Sequence, residues 1–229
     1  MTEQIGSLRL TVPDGAFPLG TDSMLLAQFL TLSKGARVAD LCSGVGTLGL
    51  LLCAREETCS VVGVERDALS HEAALENIRQ NGLAARLSSV LGDAAYAPLP
   101  TGGFDCVIAN PPYFPDGGGM RAARAGRCED ALTPEALCRT AGRLLRYGGR
   151  FALVHRPERL CDIFCALRAG GMEPKRIRLV RHRADSAPCL VLTEATRGGK
   201  AGLRWQADLI EFLQDGAPSA DYRAAYHMR

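Results

Sequence analysis

Asn110-Pro111-Pro112-Tyr113 combines the residue types in this chain best able to hold a reacting group. Neither proline offers an N–H, so the run cannot continue a strand ladder and must leave any sheet in a rigid turn. An amide and an aromatic ring frame that turn. The Asn110 side-chain oxygen and the Pro111 carbonyl can each accept one hydrogen of a planar amine. Tyr113 can stack on the ring that bears it, a contact of about 1–3 kcal/mol for a nucleic-acid base. Asn110, Pro111, Pro112 and Tyr113 are therefore the candidate catalytic residues, gripping a flat amine or amide. An Asx turn before proline is the plain structural alternative for Asn110.

A second constellation lies upstream. Asp40-Leu41-Cys42-Ser43-Gly44-Val45-Gly46-Thr47 reads as the end of a strand, a glycine turn and the start of a helix. Such a turn lets backbone approach a ligand and presents free N–H groups at the helix start. Glu65 follows Gly44 by about 20 residues, the spacing at which an acid accepts the hydroxyls of a ribose. Asp93 closes a third strand pattern and can accept an exocyclic amine. Helix caps or solvated loop acids are the alternatives for each. Two ligands fit, a nicotinamide dinucleotide or S-adenosylmethionine. The third glycine of G-x-G-x-x-G is missing, and Asp40 would repel a pyrophosphate while suiting an ammonium group.

These residues need a scaffold that brings successive strand ends to one edge. Strand patterns at Arg37–Leu41, Ser60–Val64, Arg86–Leu91, Phe104–Ala109 and Arg150–Val154 alternate with helical patterns at Thr47–Arg55, Ser70–Asn81, Pro134–Arg146 and Glu158–Ala169. That alternation predicts an α/β, Rossmann-like, doubly wound fold, with a mostly parallel seven-stranded sheet and helices on both faces. Arg176–Val180 and Cys189–Thr193 have no helix between them, which predicts an antiparallel edge strand. Residues 5–12 alternate like a hairpin arm, and Thr21 or Asp22 reads as the N-cap of a helix over Met24–Leu32. Residues 1–34 are expected to pack on a core domain of 35–196, followed by a tail of uncertain structure, 197–229.

Composition excludes some classes. No apolar run approaches the roughly 20 residues that span a bilayer, and the N-terminus lacks a signal-peptide pattern. These features predict a cytoplasmic protein. The 9 cysteines are odd in number and show no zinc-ligand spacing, so reduced thiols and no metal are expected. Net charge is uneven: residues 1–115 hold 7 basic and 12 acidic side chains, whereas residues 116–183 hold 15 and 7. The basic middle, nearly all arginine, suits either a polyanionic partner or a solvated face. Arg176, Arg178, Arg181 and Arg183 divide the same way, between an RNA contact and an exposed edge strand. His155, after a strand, reads as structural.

The series Asp40 to Gly46, Glu65, Asp93 and Asn110-Pro111-Pro112-Tyr113 resembles the motifs of class I S-adenosylmethionine-dependent methyltransferases that modify an amino group. Phe17-Pro18-Leu19-Gly20-Thr21-Asp22-Ser23-Met24-Leu25-Leu26-Ala27 is similar to the segment preceding the glycine motif in bacterial tRNA adenine-N6 methyltransferases that act on a valine tRNA. The resemblance implies S-adenosylmethionine as cofactor and tRNA as partner. It implies a cofactor site of Thr21, Asp22, Asp40, Cys42, Gly44, Gly46, Glu65, Arg66, Asp93, Ala94 and Asn110. Arg121, Arg124 and Arg127 would hold RNA phosphates. Other readings of the same motif are methylation of a protein glutamine at N5 or of a ribosomal guanine at N2. A non-catalytic S-adenosylmethionine-binding or RNA-binding module is a different class again.

Overall fold

The computed structural model describes residues 2–16, 20–112 and 132–226. Strands β1 (Thr2–Ile5) and β2 (Leu8–Thr11) form an antiparallel hairpin separate from the main sheet. Helix α1 (Thr21–Phe29) leads to β3 (Arg37–Leu41), α2 (Thr47–Arg55), β4 (Ser60–Glu65), α3 (Ala68–Gln80), β5 (Leu87–Leu91) and β6 (Phe104–Ala109). After residue 131 come α4 (Pro134–Leu144), β7 (Leu145–His155), α5 (Leu160–Ala169), β8 (Met172–Arg181) and β9 (Pro188–Arg197). Short strands β10 (Arg204–Trp205) and β11 (Leu209–Ile210) and helix α6 (Ala220–Ala225) follow.

The sheet order is β10-β8-β9-β7-β6-β3-β4-β5, with β11 also on β8. Neighbours pair in parallel except where β9 meets β7 and β8. The seven expected strands are all present, and two short ones raise the sheet to nine. The antiparallel strand is not at the edge: β9 lies between β7 and β8. A tight β8–β9 hairpin inserts β9 inward and leaves β8 to be covered by β10 and β11, which protects its open edge.

Side chains of the central strands alternate between two cores, as a period of 2 demands. Val38, Cys106, Ile108, Ala152 and Val154 pack on the face covered by α1, α2 and the hairpin. Ala39, Val107, Ala109, Phe151 and Leu153 pack on the face covered by α4 and α5. Burial on both faces is the usual state of a parallel sheet.

Two expected boundaries shift. Helix α1 is capped by the Gly20 backbone with no side-chain cap bond, so neither Thr21 nor Asp22 is its N-cap. Helix α4 stops at Leu144, before the expected Arg146, because Leu145 turns extended to pair with Phe104. Gly148 and Gly149 then form an irregularity inside β7 rather than a helix end. Gly148 has φ +77°, and a Cβ on Gly149 would lie 2.9 Å from the Arg146 carbonyl oxygen and 3.0 Å from that of Asp105.

Arg55 and Arg176 close the far end of α1. Arg55 donates to the Ala27, Gln28 and Leu30 carbonyls. Arg176 donates to the Phe29 carbonyl, pairs with Glu194 at 3.0 Å and stacks over the Phe29 ring. Cations here satisfy carbonyls that lack helical partners and favour the negative helix end. Arg178 pairs with Asp221 at 2.5 Å and Arg181 with Asp208 at 2.6 Å. Three of the four arginines placed on β8 or an RNA surface are thus ties to α1, β9 and the C-terminal segment. No described helix is long and apolar enough to cross a membrane.

Candidate active site at the carboxyl edge of the sheet

Strand register assembles the site. Leu41 pairs with Val64 on one side and with Ala109 on the other. The next residue on each strand is Cys42, Glu65 and Asn110, so these three stand level at the carboxyl edge. Glu65 pairs with Leu91, which sets Asp93 just beyond the same edge. From β3 the order runs outward to β4 and β5 one way and to β6 and β7 the other. Ligands of open α/β sheets bind in the crevice at such a switch point.

The glycine turn is built for close approach. Gly44 and Gly46 have φ of +55° and +85°. A Cβ on Gly46 would sit 3.4 Å from Ala74 Cβ, so the loop lies against α3. Gly49 has a packing role instead: a Cβ there would meet Leu87 at 2.6 Å. Ser43 fits over Gly63, where a Cβ would come within 2.7 Å of its Oγ. Cys42 takes φ +63°, the one left-handed non-glycine among the described residues. Side chains adopt that region at about 1–2 kcal/mol.

Glu65 holds the turn. One oxygen accepts the Gly44 N–H and the other the Asp67 N–H, both at 2.8 Å. An ionised carboxylate has about four acceptor positions, so two backbone bonds leave room for ribose hydroxyls. Asp93 accepts the Ala95 N–H at 2.8 Å and caps a single 3-10 turn, Ala94–Tyr96. The cap bond uses one carboxylate oxygen, Oδ1. Arg66 is exposed at the same edge and Ala94 is buried beneath it.

Asp40 is the anomaly that points to a ligand. It is 0% exposed, and neither carboxylate oxygen has a hydrogen-bond partner of ordinary geometry. Burial, reinforced by the charge of Glu65, pushes its carboxyl well above the usual range, opposed by the Gly49 amide at the start of α2. A buried carboxyl without an ordinary hydrogen bond costs about 1–3 kcal/mol or more in desolvation, and it takes up a proton unless a cation lies beside it. The same burial, with the acids Glu65 and Asp40, raises the Cys42 thiol. A raised thiol favours the protonated form, a weaker nucleophile than the thiolate.

Asn110 follows β6, half-buried, with Pro111 buried and Pro112 exposed. Its Nδ2 donates to Ser23 Oγ on α1 at 3.0 Å. The amide oxygen is thereby turned away from Ser23. Tyr113, Arg121, Arg124 and Arg127 lie outside the described residues. Thr21, expected beside the cofactor, shares a 2.8 Å hydrogen bond with the Tyr226 hydroxyl. Asp22 stands in the same first turn of α1.

Two supporting residues were not anticipated from sequence. Ser23 is one. Asn77 of α3 is the other: it is 0% exposed, donates to the Val45 and Thr11 carbonyls at 2.9 and 3.0 Å, and accepts the Thr11 N–H at 2.8 Å. It pins the glycine turn to the N-terminal hairpin. An asparagine interrupting the apolar face of a predicted helix, between Ala74 and Ile78, was its only sequence trace.

His155 ends β7 and is 1% exposed. Register sets it two residues past Leu153, the partner of Ala109, and so level with Pro111. Burial lowers its ring to about 4, so it is neutral at physiological pH.

The family model for the methyltransferase small domain matches residues 18–162. A tRNA1(Val) (adenine(37)-N6)-methyltransferase of Dickeya chrysanthemi is 32% identical over 191 residues, covering 81% of this chain and 75% of the relative. The relative of the same name in Pectobacterium carotovorum is 35% identical over 143 residues, which cover 61% of this chain and 58% of the relative. The match thus spans less than two thirds of that second protein. A solved structure of a predicted O-methyltransferase from Agrobacterium tumefaciens superposes with a TM-score of 0.75 at 27% identity, covering 91% of this chain and 96% of the other.

Proposed function

The chain belongs to the methyltransferase small-domain family, and on that premise we propose that it transfers a methyl group to the exocyclic N6 of an adenine in tRNA. S-adenosylmethionine is the cofactor, and it supplies an electrophilic methyl carbon on a sulfonium. The residues present fit it. The partnerless carboxylate of Asp40 suits a cationic group. Glu65 suits the ribose and Asp93 the cofactor's adenine amine, with the Gly44–Gly46 turn cradling the ligand between them.

One observation carries the acceptor assignment: the Asn110–Ser23 hydrogen bond beside the cofactor edge. An adenine N6 lone pair is delocalised into the ring and is a poor nucleophile. Asn110 Oδ1 and the Pro111 carbonyl accept its two hydrogens and direct the lone pair toward the crevice. Positioning of both reactants supplies most of the acceleration. No general base is required for attack: the N6–methyl bond would form as the sulfonium–methyl bond breaks, the neutral thioether would leave, and the surplus N6 proton would pass to solvent. Tyr113 stacks on the purine, which must leave its own stack to enter. Arg121, Arg124 and Arg127 hold flanking phosphates, as positioning contacts. The names of the Dickeya and Pectobacterium relatives support tRNA over the two alternative acceptors. A tRNA substrate goes with a cytoplasmic location.

The test offers the purified protein methyl-labelled S-adenosylmethionine with, separately, unmodified tRNA, ribosomal RNA and protein extract. Label in tRNA supports the reading. Label in protein or ribosomal RNA alone overturns it.

A further inference from the structure

His182, Cys189 and Glu211 come from three separate segments, and none of them is among the residues assigned to methyl transfer. His182 follows β8, Cys189 is the second residue of β9 and Glu211 follows β11. Their ligand atoms all lie within 4.8 Å of one another. Glu211 is buried, Cys189 half-buried and His182 exposed. The His182 Nδ1 contacts Glu211 Oε2.

We propose that these three side chains form a binding site for one borderline transition-metal ion, zinc by preference. The donor set is one imidazole nitrogen, one sulfur and one carboxylate oxygen, each a regular zinc ligand. Bonds of about 2.0–2.3 Å in a tetrahedron place ligand atoms about 3.3–3.8 Å apart. The observed cluster reaches that geometry by small side-chain rotations. The exposed side of His182 leaves the fourth position to water. Magnesium and calcium are disfavoured, because hard cations take oxygen ligands and reject sulfur.

The surroundings suit a cation. Glu211 is a buried acid whose one hydrogen-bonding side-chain partner among the described residues is a surface histidine. The Cys189 sulfur donates to the Val180 carbonyl at 3.4 Å. Burial, then Glu211, then Asp22 hold that thiol above its ordinary range. The nearest arginine on β8, Arg181, is taken by Asp208. A divalent ion would displace the thiol proton and neutralise Cys189 and Glu211 together, with the proton going to solvent.

The site would clasp the C-terminal segment to the β8–β9 hairpin. The Ser219 N–H donates to the Glu211 carbonyl at 2.8 Å, just before α6. Tyr226, past α6, reaches Thr21 on the helix that carries Ser23. Sequence spacing could not show this cluster, because Glu211 lies 22 residues beyond Cys189 and joins through the β11–β8 pairing.

The test uses untagged, reduced, chelator-treated full-length protein titrated with Co²⁺. One equivalent should bind with a thiolate-to-cobalt charge-transfer band, and Zn²⁺ should displace it. Cys189→Ser should remove the band, and His182→Gln should weaken binding at least tenfold. A double Cys161→Ser, Cys165→Ser variant should keep it; these exposed cysteines are the rival pair. Zn²⁺ should also slow proteolysis of the C-terminal segment in the parent but not in His182→Gln. Absence of a saturable band, or a band that survives Cys189→Ser or vanishes with Cys161 and Cys165, overturns the site. None of these readouts depends on methyl transfer.

Discussion

The Asn110 side chain donates to Ser23 Oγ at 3.0 Å across 87 residues of sequence. This bond engages the nitrogen end of the amide on α1. The proposed function needs the oxygen to be the end offered to an incoming amine. Asn110→Ala should therefore lower kcat by at least about 10²-fold, the cost of losing one oriented polar group at a reacting centre. Cofactor affinity, to which the resemblance also assigns Asn110, should fall far less than the rate, measured by calorimetry. Collapse of cofactor binding would mean that Asn110 belongs to the other ligand.

Ser23→Ala should leave folding intact and reduce kcat about tenfold, one ordinary hydrogen bond of about 1.4 kcal/mol. Ser23→Thr keeps the hydroxyl and should restore most of the rate. Equal losses in both variants would point to packing rather than to orientation of Asn110.

Asp40 predicts a trade between stability and binding. Asp40→Asn removes a buried carboxyl that has no hydrogen-bond partner of ordinary geometry, so the ligand-free protein should unfold at an equal or higher temperature. S-adenosylmethionine should bind at least tenfold more weakly, and its addition should raise the unfolding temperature less than in the parent. A less stable variant with unchanged affinity would contradict the assignment.

Cys42 sits left-handed where the turn needs backbone freedom. Cys42→Gly should be neutral or stabilising by about 1 kcal/mol, because strain relief outweighs the added chain entropy. Cys42→Val should destabilise by more than that. Thermal unfolding of the two variants distinguishes backbone strain from a packing role of the sulfur.

His155 gives a pH signature. Its folded value of about 4 lies below an unfolded value of roughly 6.5. The unfolded chain therefore binds the proton first. The contribution is fully present above about pH 6.5 and declines as pH falls toward about 4, by about 3 kcal/mol in total. Denaturant midpoints for the parent should drop over that window, and His155→Gln should flatten it. An unchanged slope in the variant would place the pH dependence elsewhere.

What could be read in the sequence was local. Strand ends, the Gly44–Gly46 turn, Glu65, Asp93 and the double proline are short-range patterns, and the sheet order places them at one edge as expected. What could not be read depends on pairing between distant segments. The inward position of β9 follows from which edge the β8–β9 hairpin adopts, and no residue pattern within it specifies that. The arginines of β8 carry the same alternation whether they face solvent or acids 18 to 43 residues away, and Arg176 and Arg178 found Glu194 and Asp221. Ser23 and Asn77 gave little sign of their roles, because each is defined by a partner more than 60 residues off.

The most direct measurement is nucleoside analysis of tRNA after reaction with S-adenosylmethionine, using the parent protein and Asn110→Ala side by side. N6-methyladenosine should form with the parent and be absent with the variant, while both proteins bind the cofactor. A methylated guanosine as the sole product, or N6-methyladenosine formed equally well by the variant, would contradict the central claim that Asn110 grips an adenine amine.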